Sequence, residues 1–414
     1  MVGDLPHGMA GACIGSTLGS EADMRAAKPL RILWVSDSPL MATGFARVTR
    51  EVVGRLLFQP GLEVTCLGWG YDGWPYDPAR FAGRIYPCVA SRHGGEVFER
   101  VVNEFRPQVV ITLGEIWMLQ WLQSHPARGE FKWIAYLPID GGPVYPPWEP
   151  ILRGMDEIVA MSAFGQEILR AGVPSKRIHL IPHGVDPGVF RPLANRIELK
   201  SEPRIRGKFV IGCVARNQPR KNIPALVKAF SRVVEKHQQL HLILHMNPCD
   251  VGHDLVTLLK RYGLEGCADV GSPHFSHQEG VSDEELNVLY NVCDLTVLPT
   301  NAEGFGLPII ESLAAGTPVV ATDHSACPEL VRGRGELARV AAMLTVGTNL
   351  IEHAIVDVDD LAACIERLYL DPERLRSHGR AGRAFAETLA WDNLLPQWLR
   401  VIGMVSGGGP ADSH

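Results

Sequence analysis

The sequence predicts an α/β protein made of two doubly wound halves, each with a parallel β-sheet covered by helices on both faces. Short apolar runs alternate with stretches whose apolar residues recur at helical spacing, which is typical of strand–helix–strand units. This alternation occurs twice, and a segment rich in proline and glycine at 179–192 separates the two series. A chain of 414 residues has room for two domains and for a core that needs no disulfide or metal.

Composition excludes several classes of protein. A hydrophobic content of 46% rules out a mainly disordered chain, and a net charge of −6 argues against a nonspecific nucleic-acid coat. The nine cysteines are scattered without a C-x-x-C pair, so neither a disulfide framework nor a zinc ribbon is indicated. No apolar run reaches 18 residues and the start does not resemble a signal sequence. We therefore expect a cytoplasmic protein without integral membrane association.

The N-terminal half begins with an apolar run at 31–37, typical of a buried parallel strand, and a helical pattern at 43–58. Further apolar runs predict strands at 62–69, 107–114, 131–139 and 156–162. Helical spacing predicts helices at 95–105 and at 162–172, the latter with Ser162 as its N-cap. Residues 1–28 lack periodicity, so we expect a disordered arm there and an N-terminal domain over 29–187.

The second half repeats the pattern, starting with a strand at 208–216. The elements that follow are expected in this order: helix 221–238, strand 241–247, helix 254–262, strand 268–272, helix 282–292, strand 294–300, helix 307–315, strand 318–323, and helices 360–369, 372–389 and 391–404. These elements predict a second domain over 188–385, a closing helical segment over 386–404 and a disordered tail over 405–414.

The most informative stretch is NAEGFGLPIIE at 301–311, where a Gly-rich loop leads from a strand into a helix. Free backbone N–H groups at such a helix start bind anions, and Gly304 and Gly306 let a ligand approach the backbone closely. Glu303 and Glu311 are placed to flank one ligand and accept hydrogen bonds from its hydroxyl groups. Alternatively, Glu303 is solvated and Glu311 is only favoured by the helix dipole.

A second candidate group is the loop ARNQPRKN at 215–222, which follows a predicted strand. Its Arg216 and Lys221 stand at the carboxyl end of that strand, where open α/β sheets bind ligands. An arginine fork and a lysine point charge together suit a diphosphate. The alternative is a pair of solvated loop charges.

Together with PHGVDPGVFRP at 182–192 and SLAAGTPVVATD at 312–323, these motifs resemble glycosyltransferase family 4. The similarity covers roughly 30–402 and is most specific over 179–331, where the motifs agree in order and spacing. The resemblance implies the GT-B fold, in which two Rossmann-like doubly wound domains face each other across a cleft. It also implies a retaining enzyme that uses a nucleotide-sugar donor.

The resemblance implies roles for individual residues. Glu303 would contact the donor sugar and Glu311 the ribose hydroxyls, while Arg216 and Lys221 would grip the diphosphate. The remaining donor-binding positions are Gly44, Gly304, Phe305, Gly306 and Leu307. The loop around Gly44 would present backbone to the phosphates or the acceptor, and the final helices would cross back onto the first domain.

One position departs from the family. Many members carry a histidine at a strand end of the N-terminal domain, near the reacting sugar carbon. The corresponding strand here ends in LPIDGG and offers Pro138 and Asp140 instead. Asp140 either takes over by binding a sugar hydroxyl or stabilising positive charge at that carbon, or it only closes a turn with Gly141 and Gly142.

The expected reaction needs no metal and no cofactor, because the cations and helix-start amides can stabilise the leaving diphosphate. Asp357 and Asp359 imitate a metal-binding D-x-D motif, but they directly precede a helix, so Asp359 or Asp360 is expected as its N-cap. The other functions considered are a nucleotide-sugar epimerase of the same fold and a noncatalytic nucleotide-sugar-binding protein.

The sequence leaves the acceptor and the oligomeric state open. The acceptor is a hydroxyl-bearing glycan, a small molecule or a modified nucleic-acid base. The nucleic acid is considered because nine basic residues lie within 191–221, although a charged linker face together with the phosphate loop is the simpler explanation. Seven of the nine tryptophans lie in the first 150 residues, which favours the N-terminal domain as the acceptor platform.

Overall fold

The computed structural model describes residues 28–89 and 93–407. Within them the chain forms two parallel sheets, as the alternating pattern predicts. The expected disordered arm lies outside the described residues except for Lys28, and so does the expected tail from 408 onward. The predicted tail is wrong at 405–406, because the last helix continues to Ser406.

In the described residues the first sheet has seven strands, all neighbours parallel, in the order β3-β2-β1-β4-β5-β6-β7. Its strands are β1 (Leu30–Asp37), β2 (Leu62–Trp69), β3 (Arg84–Cys88), β4 (Val109–Leu113), β5 (Lys132–Leu137), β6 (Glu157–Ala160) and β7 (Ile178–Leu180). Its helices are α1 (Gly44–Leu56), α2 (Gly95–Phe105), α3 (Ile116–Gln123), α4 (Glu149–Gly154) and α5 (Ala163–Gly172). Ser162 caps α5, as predicted, by accepting the N–H of Gly165 at 3.1 Å.

The second sheet has six strands among the described residues, again with parallel neighbours, in the order β10-β9-β8-β11-β12-β13. Its strands are β8 (Phe209–Val214), β9 (Leu240–His245), β10 (Ala268–Val270), β11 (Leu295–Leu298), β12 (Val319–Thr322) and β13 (Gly335–Ala338). The helices of this half are α6 (Arg196–Leu199), α7 (Ile223–Lys236), α8 (Leu255–Arg261), α9 (Asp283–Val292), α10 (Leu307–Ala314), α11 (Cys327–Val331), α12 (Val358–Leu370), α13 (Pro372–Thr388) and α14 (Trp391–Ser406).

Several elements were not predicted: strands β3, β7 and β13, helices α3, α4, α6 and α11, and one hairpin. An antiparallel hairpin of β14 (Val340–Val346) and β15 (Ile351–Val356) extends from the second half between β13 and α12. Most side chains of β14 are exposed, so its apolar residues do not form the buried run by which the predicted strands were recognised. The hairpin matters because it reaches the first half, as described below.

The two halves contact each other through their ends. Helix α14 packs on the first sheet, where the ring of Trp398 lies edge-on to Trp34 and Tyr136, with centroids 5.7 and 4.9 Å apart. On the opposite side, the Glu329 carboxylate from α11 accepts the N–H of Ala163 at the start of α5 at 2.9 Å. In the described part of the chain, every helix falls short of the length and apolar character needed to span a bilayer.

Candidate functional site

The candidate site lies where the carboxyl edges of the two sheets face each other, the position at which open α/β sheets bind ligands. Lys221 follows β8, Glu303 follows β11, and Asp140 follows β5 of the other half. The short 3-10 turn Pro219–Lys221 directs the basic side chains of the β8 loop. The site therefore draws on both halves.

Glu303 is the centre of a buried charge cluster. Its carboxylate is 5% exposed and lies 2.5 Å from Lys221 Nζ and 3.5 Å from Arg220 Nη1. Burial alone would raise the pKa of Glu303, but the charges of Lys221 and Arg220 outweigh it and hold that pKa below its usual range. Ser325 fixes the loop by accepting the Glu303 N–H at 2.8 Å. The solvated alternative for Glu303 is thereby wrong.

Asp140 belongs to the same cluster from the other half. Its carboxylate lies 3.5 Å from Arg220 Nε and 3.7 Å from His353 Nε2. Burial would raise the pKa of Asp140, but His353 and Arg220 together lower it. Gly142 next to it also forms a backbone bridge to the hairpin, so the turn and the charge contact are both present.

Arg216 is not in this cluster. Its side chain is 60% exposed and its guanidinium forks onto Asp250, at 2.7 and 3.2 Å. The expectation that Arg216 and Lys221 lie together is corrected by the structure: Arg220 stands beside Glu303. From the sequence, Arg220 was counted only as one of the basic residues at 191–221. Its position directly before Lys221 could have indicated that it belongs to the same site.

Glu311 lies in a second cluster. It is 2% exposed, accepts the hydroxyl of Tyr290 at 2.8 Å, and pairs with the Arg47 guanidinium from α1 of the first half. Arg47 also lies 2.6 Å from Asp283. Burial would lower the pKa of Arg47, but the two carboxylates raise it overall. No local sequence pattern pointed to Arg47 or Tyr290, since both act across long sequence separations.

The glycines and their neighbours bring the two halves close together. Gly306 has φ 105° and precedes α10 without a side-chain cap. Because Pro308 has no N–H and the Ile309 N–H donates to the Gly306 carbonyl at 2.9 Å, the N–H that the start of α10 offers an anion is that of Leu307. A Cβ on Gly304 would lie 3.0 Å from the backbone of Pro138, and one on Gly44 would lie 3.4 Å from Leu307. The start of α1 thus faces the start of α10 across the cleft.

Phe305 is buried rather than open to the cleft. It is 4% exposed, and its ring lies 5.0 Å from the ring of His183, whose pKa burial lowers to about 3. The His183 Nδ1 lies 2.7 Å from the Tyr136 hydroxyl. The ring of Phe305 therefore fixes the loop, and contact with a donor would come from its backbone.

The cleft is closed in this structure. A cavity of about 20 Å³ is lined by Arg47, Asp186, Asp283, Glu311 and Trp391, among others. Ligand sites for molecules of drug size usually measure about 300–1,000 Å³. The cavity beside Glu311 is therefore too small, as it stands, to admit a nucleotide sugar.

Most basic side chains of the stretch at 191–221 are engaged within the chain. Arg196 donates to the backbone carbonyls of Asn291 and Cys293, at 3.0 and 2.7 Å. Further pairs in this stretch are Lys200 with Asp294, Arg204 with Asp269, Arg216 with Asp250, and Lys221 with Glu303. These partners favour the structural explanation of the stretch over a polyanion-binding face.

In the described ranges, no group of three or more His, Cys, Asp or Glu side chains is placed to hold a metal ion. The D-x-D imitation at 357–359 is structural: Asp357 caps α12 by accepting the N–H groups of Asp359 and Asp360 at 2.9 and 3.1 Å. The predicted cap at Asp359 or Asp360 is therefore wrong by two or three residues.

Comparison with known proteins identifies the class of enzyme. The family model "Glycosyl transferases group 1" matches residues 195–385. The chain is 28% identical over 373 residues to the MMP alpha-(1->4)-mannosyltransferase of Mycolicibacterium hassiacum, covering 89% of this chain and 76% of that protein. It is 27% identical over 251 residues to a GDP-mannose-dependent alpha-(1-6)-phosphatidylinositol monomannoside mannosyltransferase of Mycobacterium tuberculosis, covering 58% and 60%.

Among solved structures, the sucrose-phosphate synthase of Thermosynechococcus elongatus superposes with a TM-score of 0.74. The match covers 92% of this chain and all of that one, at 19% identity. At this identity the likeness shows the fold alone, and it confirms the predicted GT-B arrangement of two Rossmann-like domains.

Proposed function

We propose that this chain, a glycosyltransferase that resembles family 4, transfers a sugar from a nucleotide-sugar donor to a hydroxyl acceptor with retention of anomeric configuration. The observation that carries the proposal is the buried cluster of Glu303, Lys221 and Arg220, which lies beside the uncapped start of α10 and faces Asp140.

The leaving diphosphate gains negative charge as its bond to the sugar breaks. We assign its stabilisation to Lys221, Arg220 and the Leu307 N–H at the start of α10, which are held in place before the reaction. Arg216 joins them when the donor binds. Its pair with Asp250 is exposed and contributes about 0–1 kcal/mol, so a diphosphate can displace it.

The carboxylates act on the hydroxyl groups and on the reacting carbon. Glu303 binds a hydroxyl of the donor sugar, and Glu311 binds the ribose after the cleft opens and releases Arg47. Asp140 lies at the closing edge of the other domain, where a carboxylate stabilises the oxocarbenium-like sugar.

The charge stabilisation in this mechanism comes from protein cations, and we therefore propose a transfer that needs no metal. The acceptor is a glycan or a small hydroxyl compound rather than a nucleic acid, because most basic side chains of the stretch at 191–221 are engaged internally. Relatives named as mannosyltransferases make GDP-mannose the first donor to test.

The experiment is a thermal-shift screen of the full chain against nucleotide sugars, followed by transfer assays with the best ligand in buffer containing EDTA. Proton NMR of the product reads the anomeric configuration. Stabilisation by one nucleotide sugar, transfer in EDTA and a retained configuration support the proposal. An inverted product, a requirement for added metal, or isomerisation of the donor without an acceptor would each contradict it.

A further inference from the structure

The β14–β15 hairpin connects the two domains at the site. Its Glu352 N–H donates to the carbonyl of Gly142, at 2.9 Å, on the turn that follows β5. Its Ala354 N–H donates to the carbonyl of Asn301, also at 2.9 Å, in the loop that leads to Glu303. One strand of the hairpin thus joins the turn that carries Asp140 to the loop that carries Glu303.

The turn is shaped to receive this strand. A Cβ on Gly141 would lie 2.3 Å from Ile351 Cγ2 and 2.7 Å from the carbonyl oxygen of Glu352. The second distance is to backbone, which cannot rotate away as a side chain can. Any residue other than glycine at 141 would therefore push the hairpin off the turn.

His353 is the hairpin side chain that faces the charge cluster. It is 9% exposed, and its Nε2 lies 3.7 Å from Asp140 Oδ1. Arg220 Nε lies 3.5 Å from the other oxygen, Oδ2. The carboxylate of Asp140 is therefore held on both oxygens by side chains of the second domain, one of them brought by the hairpin.

We propose that His353 is a positioning residue for the transfer reaction: it orients the Asp140 carboxylate toward the sugar when the domains close. The imidazole reaches Asp140 only while the hairpin lies on the turn, so closure and orientation occur together. The inference rests on the proposed function, because it requires that Asp140 acts on the sugar during transfer.

The ionisable groups that face Asp140 are Arg220, His353, Glu115 at the end of β4, and His324 after β12. His353 lowers the pKa of Asp140, so loss of the imidazole raises that pKa. The acid limb of the pH profile of kcat then moves to higher pH. A merely structural hairpin contact would leave this limb where it is.

The test uses the full chain and the release of GDP from GDP-mannose, or from whichever nucleotide sugar gives the largest thermal shift. We expect His353→Ala to lower kcat about 10- to 100-fold with little change in KM, the loss expected once the 3.7 Å contact has tightened to a hydrogen bond to the Asp140 carboxylate in the complex with the donor. His353→Gln keeps an N–H donor and should retain part of the activity. The matched control is His179→Gln, which removes an imidazole 2.7 Å from Glu157 in the first sheet, away from the cleft.

A double-mutant cycle separates orientation from folding. If His353 acts through Asp140, adding His353→Ala to Asp140→Asn causes no further loss of kcat. Thermal unfolding of each variant shows whether the fold is kept. Fully additive losses, an unmoved acid limb, or a His353→Ala enzyme as active as the His179→Gln control would overturn the inference while leaving the proposed function intact. A wild-type chain that neither binds nor cleaves any nucleotide sugar would overturn the proposed function itself.

Discussion

Replacing Lys221 by methionine tests the charge cluster most sharply. The change keeps the length of the side chain but removes an ammonium that lies 2.5 Å from Glu303 and is 8% exposed. Breaking a buried pair usually costs about 3–5 kcal/mol of stability, and Arg220 at 3.5 Å remains to offset part of it. Loss of one charged donor in the transition state, at about 2–4 kcal/mol, lowers kcat by roughly 30- to 1000-fold.

The assay is nucleoside diphosphate release by the full chain, with urea unfolding measured in parallel. The matched control is Lys200→Met, which breaks a partly buried pair with Asp294 at the opposite end of the same sheet and should leave kcat unchanged. If Lys221→Met turns over within about twofold of the wild type while remaining folded, the assignment of diphosphate stabilisation to this cluster is refuted.

Three further changes give distinct expectations. Arg47→Met leaves Glu311 without its cation and should lower the free energy of unfolding by about 3–5 kcal/mol in a urea titration, and an unchanged midpoint would contradict it. Gly304→Ala places a Cβ against the backbone of Pro138 and should lower kcat roughly tenfold while the fold is kept. Full activity of this variant would contradict the idea that transfer needs this close contact between the two domains. The folded pKa of His183, about 3, lies below its unfolded value of about 6.5, so the stability from the neutral ring is complete above pH 6.5 and is lost as pH falls toward 3. His183→Gln should flatten this slope, which approaches about 1.4 kcal/mol per pH unit, and an equal slope in both proteins would refute it.

Local signals were sufficient for the fold class and for part of the site. The start of α10 follows from Gly306 and a proline in its first turn, and the Ser162 cap follows from a hydroxyl residue before an apolar helical pattern. Both features depend on neighbours within a few residues. The same holds for ten of the thirteen strands described in the two sheets, which were recognised by short buried apolar runs, whereas β3, β7 and β13 were missed.

The rest depends on contacts that no local pattern encodes. Arg47 and Glu311 are 264 residues apart, and their pairing follows only from the way the domains close. Arg220 and Arg216 look equivalent in sequence, but Arg220 lies in the 3-10 turn Pro219–Lys221 and reaches Glu303, whereas Arg216 precedes the turn and pairs with Asp250. The hairpin that brings His353 to the site could not be recognised from sequence, because the apolar side chains of its first strand, β14, are mostly exposed.

The central claim is that a nucleotide sugar binds between the two domains with its diphosphate on the cluster of Lys221, Arg220 and Glu303. A crystal structure of the full chain with GDP-mannose, or with the nucleotide sugar that stabilises it most, tests this directly. The account predicts diphosphate oxygens within hydrogen-bond distance of Lys221 and of the Leu307 N–H at the start of α10, and the Arg47–Glu311 pair opened. A donor bound elsewhere, with the Lys221–Glu303 and Arg47–Glu311 pairs both intact, would contradict the account.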